Sequence, residues 1–138
     1  MRDRAVGHTV GMNERELAAG LAATASYRYA DVVGDRLFVA GQVPLDGNGA
    51  LVGHGDPAAQ ARRCLANLFT LIELHGFGRA DIHRLTVYVV GPHAHLLDAW
   101  TAVTEVFTHD VPPATLLGVH LLGHTGQLVE IDAEVARA

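Results

Sequence analysis

The segments LFVAGQV (Leu37 to Val43) and TLLGVHLL (Thr115 to Leu122) carry apolar residues at both parities of a strand. Side chains alternate across a strand, so segments of this kind bury both faces of their sheet. A chain of 138 residues has room for one compact domain, and it must find cover for two sheet faces.

The helical pattern supplies cover for one face. Asp56 suits an N-cap and Pro57 the first helical position. Ala61, Cys64, Leu65, Leu68 and Ile72 then recur at helical spacing until Gly76 ends the run, and Cys64 reads as a small core residue. A second helix is expected over His93 to Phe107, with Leu96, Trp100, Val103 and Phe107 on one face. Pro112-Pro113 bars any continuation.

The remaining apolar stretches read as strands. Tyr27 to Val33 and Arg36 to Val43 form a hairpin about Gly34-Asp35, ended by Pro44. The turn cluster Asp46 to Gly49 leads to a brief strand at Leu51-Val52. Ile82 to Val90, Thr115 to Leu122 and Leu128 to Val135 follow, the last two separated by a turn at Gly123 to Gly126. In the last strand Val129, Ile131 and Ala133 alternate with Glu130, Asp132 and Glu134, so three acids share a face.

The order ββ(β)αβαββ predicts an α+β domain, a mixed sheet with two helices packed on one face. Nothing in the sequence covers the other face, so other copies of the chain are expected there, in a closed homo-oligomer. Residues 1–26 are expected to be an N-terminal extension to a domain spanning 27–138. Gly7 and Gly11 break any pattern early, and ERELAAGLAATA, with Asn13 as N-cap, predicts a short helix.

Composition narrows the function. Hydrophobic residues make up 49% of the chain and charged ones 18%, which permits a sizeable core. Ten basic against 15 acidic residues give a net charge of −5, which argues against a nucleic-acid or anionic-membrane surface. No apolar run approaches the roughly 20 residues of a membrane span, and no signal-type segment opens the sequence. The single cysteine fits a reducing cytoplasm. All ten basic residues are arginines, so neither a Schiff-base lysine nor a Walker lysine is available.

Nine histidines raise the possibility of a metal, but only His93 and His95 lie close together. His109, His120 and His124 are dispersed and no zinc motif is present, so no metal is expected. Phosphate-cradling and dinucleotide-binding glycine motifs are absent too. Glu130 stands apart. A carboxylate between Val129 and Ile131 must be hydrogen-bonded or paired, and otherwise becomes a candidate general acid or base.

Several ordered segments together resemble one family. They are Tyr27 to Asp46 with FVAGQVPLD, Asp56 to Leu68 with DPAAQAR, LTVYV at Leu85 to Val89, and PPATLLGV with LVEIDA between Pro112 and Ala133. This set is similar to the Rid family, the RidA/YjgF-type reactive-intermediate deaminases, over about Tyr27 to Val135. The resemblance implies a chorismate-mutase-like subunit, assembled as a homotrimeric barrel with ligand clefts between subunits. It also implies hydrolysis of 2-imino acids without a cofactor. Glu130 then matches the glutamate that positions water and Tyr27 the pocket tyrosine. Ala40-Gly41 stand where the family has Ser-Gly, and Leu117 where it often has a small or thiol residue.

Thr115 occupies the position of the family's carboxylate-gripping arginine. A threonine cannot make that bidentate contact, worth about 1.5–3 kcal/mol. Arg28 is expected to point away from Tyr27, and the facing of Arg84 is open in the sequence. The leading expectation is therefore an enzyme acting on a small enamine, imine or related carbonyl compound lacking the usual carboxylate. Glu130 would be its acid/base, with Tyr27, Ala40, Gly41, Thr115 and Leu117 binding substrate. The alternatives are a non-catalytic trimeric binder of small ligands and the 2-imino acid hydrolase with a relocated cation. No nucleic acid or membrane partner is expected.

Overall fold

A computed structural model describes residues 12–138; residues 1–11 of the expected extension, Gly7 and Gly11 among them, lie outside the described residues. The elements are α1 (Glu14–Ala18), β1 (Ala30–Val33), β2 (Arg36–Val39), α2 (Pro57–Leu74), β3 (Ile82–Val90), α3 (His93–Val106), β4 (Ala114–Val119) and β5 (Val129–Ala136), with a short 3-10 turn at Arg79–Asp81. They form a mixed five-stranded sheet in the order β1-β2-β5-β3-β4. Only β3 and β4 are parallel, a pairing that needs a crossover, and α3 supplies it.

α2 forms where local chemistry dictates. Asp56 Oδ1 accepts a hydrogen bond from the Ala59 N–H at 3.0 Å, Pro57 opens the helix, and Gly76 stops it with φ of 83°. The expected stripe of Ala61, Cys64, Leu65, Leu68 and Ile72 is fully buried. α2 packs on α3 and β5, and α3 packs on β3 and β4. The sheet contributes Leu37, Leu85, Val87, Val89, Val129, Ile131 and Val135 to this main core, and Leu21, Tyr29 and Leu71 form a smaller second cluster. On α3 the most buried residues are Ala99, Ala102 and Val103, whereas Leu96 and Trp100 sit at its margin.

Several elements are shorter than the sequence predicts. α1 spans five residues instead of the expected twelve, because the chain turns at Gly20 with φ of 93°. Tyr27 to Tyr29 precede β1 instead of belonging to it, and Ala40 to Val43 leave β2. Gln42 makes only an isolated bridge to Ile131, and Leu51 one to Leu45. β4 ends at Val119, short of Leu122.

The helices cover one face of the sheet. Register places Phe38 of β2, Arg84, Thr86 and Tyr88 of β3, Thr115 and Leu117 of β4, and Glu130, Asp132 and Glu134 of β5 on the other. Phe38 is half exposed there. Burial pushes the Asp132 carboxyl above its ordinary range, a bond from the Ala133 N–H opposes this, and the nearby Glu134 charge adds to the rise. None of the described helices is long and apolar enough to cross a membrane.

Leu65 lies at the centre of the α2 contact and is fully buried. Its truncation, Leu65→Ala, should lower unfolding free energy by about 2–5 kcal/mol, seen as a lower urea midpoint with an unchanged slope.

Candidate functional site

Glu130 is positioned by its neighbours on the core side. Val129 and Ile131 are fully buried, so strand alternation turns Glu130 to the open face. Ahead of β5 the chain is gripped by Gln60, itself fully buried in α2. Its Oε1 accepts from the N–H groups of Leu128 at 2.7 Å and Val129 at 3.2 Å, and its Nε2 donates to the carbonyls of Gly53 and Gly126. Gln127 finishes the arrangement. Its Nε2 donates to Glu130 Oε1 at 3.3 Å and to the Val129 carbonyl at 3.0 Å, while its Oε1 accepts from the His124 N–H.

The opposing wall comes from the strand remnant after β2. Gln42 and Ile131 exchange backbone hydrogen bonds at 2.7 and 3.0 Å, which brings Gly41 directly against the Glu130 carboxylate. Any Cβ at position 41 would overlap Glu130 Oε2, so only glycine leaves this carboxylate where it is. Asn67 of α2 fixes the next residues by donating to the carbonyls of Val43 and Leu45.

These elements enclose a cavity of about 430 Å³. Gly41, Val43 and Leu45 line one side, Gly123, His124, Gln127 and Glu130 another, and Ala22 to Ala25 with Tyr27 and Tyr29 the third. Burial raises the Tyr27 phenol above its ordinary value, and the negative charge of Glu130 raises it further. Tyr29 is pushed up to about 12, first by burial and then by Tyr27 and Glu16. Behind β5, burial pushes the Cys64 thiol far up, and its Sγ faces the Val129 carbonyl; this is a packed core group. Among the described residues no three His, Cys, Asp or Glu side chains come together as metal ligands.

Of the residues singled out from the sequence, Tyr27, Gly41 and Glu130 meet in this cavity. Ala40 lies beside it, its N–H given to the Tyr29 carbonyl and its own carbonyl taken by Gln42 Nε2. Thr115 and Leu117 lie on β4, with β3 between them and β5; Tyr88 pairs with both Leu117 and Glu130. Arg84 faces the same side, and its Nη2 donates to Thr115 Oγ1 at 2.5 Å, while its Nε lies 4.0 Å from Glu134 Oε2. Gln60 lies within DPAAQAR and His124 among the dispersed histidines, but neither is marked there as part of a site, and Gln127 and the Ala22 to Ala25 wall belong to no motif.

Comparison with known proteins agrees with this fold. A family model described as Endoribonuclease L-PSP matches residues 18–137. A RutC family protein of Pyrococcus horikoshii is 35% identical over 63 residues, 46% of this chain and 50% of that protein, so the chain spans about half the length of this relative. A RutC family protein of Sulfurisphaera tokodaii is 28% identical over 88 residues, covering 64% of this chain and 69% of that one. The crystal structure of the YjgF gene product of E. coli superposes with a TM-score of 0.74 at 27% identity, covering 85% of this chain and 92% of that one.

The Tyr27 and Glu130 side chains share an electrostatic field, and this can be measured. Glu130→Gln removes the negative charge that disfavours tyrosinate, so the Tyr27 midpoint should fall. Tyrosinate absorbance as a function of pH, with a Tyr27→Phe sample subtracted, reads it out. An unmoved midpoint would separate the two groups.

Proposed function

This chain belongs to the endoribonuclease L-PSP (YjgF/RidA) family, and from that premise we propose that it acts on a small enamine, imine or related carbonyl compound in the Glu130 cavity. The reaction is hydrolytic deamination or tautomerisation. The observation that carries this reading is the carboxylate itself, held by Gln127, abutting a bare Gly41 and sharing its cavity with Tyr27. In hydrolysis Glu130 takes a proton from a water as the oxygen bonds to the C=N carbon. The nitrogen gains protons, the C–N bond of the resulting carbinolamine breaks, and ammonia leaves a carbonyl product. In tautomerisation the same carboxylate carries a proton between carbon and nitrogen.

Among the described residues no arginine lines the cavity, and the chain has no lysine, which supports a substrate without a carboxylate at the position the family's arginine would grip. The net charge of −5 opposes binding to a phosphate backbone, so the imine reading is preferred over the ribonuclease that the family description names. The uncovered sheet face with its half-exposed Phe38 supports a homotrimer, in which other copies close over Thr115 and Leu117. No cofactor is assigned to this chemistry.

Turnover is tested by generating a carboxylate-free imine in place with an amine oxidase and following its loss. Glu130→Gln should slow that loss by about 10²–10⁴-fold with the melting midpoint retained. If wild-type protein leaves the imine at its background rate yet binds a small ligand, the protein is a non-catalytic binder instead.

One observation favours a second reading, the 2-imino acid hydrolase with a relocated cation. The Arg84 guanidinium rests on the Thr115 hydroxyl, at the position where the sequence lacks its arginine. On this reading Arg84→Met lowers kcat/KM roughly tenfold to a hundredfold for a 2-imino acid while sparing a carboxylate-free imine. An equal effect on both substrates removes it.

A further inference from the structure

Ala22 to Ala25 and Tyr27 line the cavity from a stretch, 22–28, that is part of no helix or strand. Among the described residues, none of the seven makes a backbone-to-backbone hydrogen bond. Side chains hold the stretch in place. The Tyr29 hydroxyl donates to the Ala22 carbonyl at 2.7 Å, and three bonds come from one residue, Asn13. Its Nδ2 donates to Thr24 Oγ1 at 3.0 Å and to the Tyr27 carbonyl at 2.9 Å, and its Oδ1 accepts from the Tyr29 N–H at 2.9 Å. The Thr24 hydroxyl donates to the same Tyr27 carbonyl.

Asn13 precedes α1, yet its amide does not cap that helix. It sits at φ of 60° and ψ of 20°, in the left-handed region that asparagine tolerates better than other side-chain-bearing residues, and turns its amide to the wall. A five-residue helix has no stability of its own in water, so α1 must be docked. Glu16, buried, pairs with His75 Nε2 at 2.7 Å, and the Arg15 guanidinium reaches the Leu74 carbonyl. Both contacts tie α1 to the C-terminal end of α2. Asn13 and Glu16 precede residue 18, where the family match begins.

We propose that Asn13, anchored through α1 to the end of α2, is a positioning residue that latches the Ala22–Tyr27 wall and so fixes Tyr27 against Glu130. The proposal rests on the reading of Tyr27 and Glu130 as the site. It adds that residues 13–25, expected to be an appendage, shape the cavity, to which Ala22, Ala23, Thr24 and Ala25 contribute small side chains.

The test is Asn13→Gly, because glycine keeps the left-handed conformation without strain and removes only the amide. Two readouts are used, neither needing turnover. Hydrogen exchange at the Tyr29 amide, which donates to Asn13 Oδ1, should accelerate about tenfold, with the α2 core amides unchanged. The Tyr27 ionisation midpoint, taken against Tyr27→Phe, should fall back toward its ordinary value of 10.0. Asn13→Asp keeps the acceptor and should leave the Tyr29 amide protected, which separates that bond from the donation to the Tyr27 carbonyl. Wild-type exchange and an unmoved midpoint in Asn13→Gly would overturn the latch. Full imine turnover in Glu130→Gln would remove the functional reading and leave the latch standing.

Discussion

The alternation of β5 is the constraint from which the site follows. Val129 and Ile131 are fully buried beneath α2, and neither can leave the core without opening a cavity. Glu130 between them therefore has no choice of face. The core also sets its height above the sheet, because Gln60 is rooted in α2 and grips the chain just before the strand. An apolar helix stripe thus decides where a carboxylate stands. The chemistry of the cavity depends on packing that never touches a ligand.

Much of the fold is readable in the residues because its determinants are local. The cap at Asp56, the proline behind it and the stripe to Ile72 each act within one helix, and α2 matches the expectation nearly residue for residue. Ile82 to Val90 is likewise a strand over its whole expected length. Other features depend on distant partners. The insertion of β5 between β2 and β3 is set by sheet pairing, which no single segment encodes. Residues 40–43 have the composition of a strand, but only Gln42 finds a bridge there, because the chain is bending towards Glu130. The facing of Arg84 is hidden for a related reason: the β3–β5 register shifts between Ile82 and Arg84.

Within the site, the sequence marks the residues that belong to recognisable strings: Tyr27, Gly41 and Glu130. It gives no site role to the amides that hold them, although Gln60 lies in DPAAQAR and Asn13 reads as a cap. Asn13, Gln60 and Gln127 lie 117, 70 and 3 positions from Glu130, and only the folded chain brings them to bear on it or its walls. On the open face Arg84 stands among Glu130, Asp132 and Glu134, the last of which also raises Asp132. That face sets the acids of β5 against the guanidinium groups of Arg84 and of Arg36, the latter over the Phe38 ring, and any copy of the chain docking there must accommodate them.

The supports of the cavity are neutral amides: Asn13 on the wall, Gln42 and Asn67 on the opposite side, Gln60 and Gln127 beneath the carboxylate. Dissolved ions weaken attractions between exposed formal charges, but dipole-to-dipole bonds inside a protein are hardly screened. The amide contacts around Glu130 are therefore little changed by salinity, and a dependence of ligand handling on ionic strength would originate in the charges of Glu130 and the ligand, in the Glu16–His75 pair that docks α1, or in the contacts between copies.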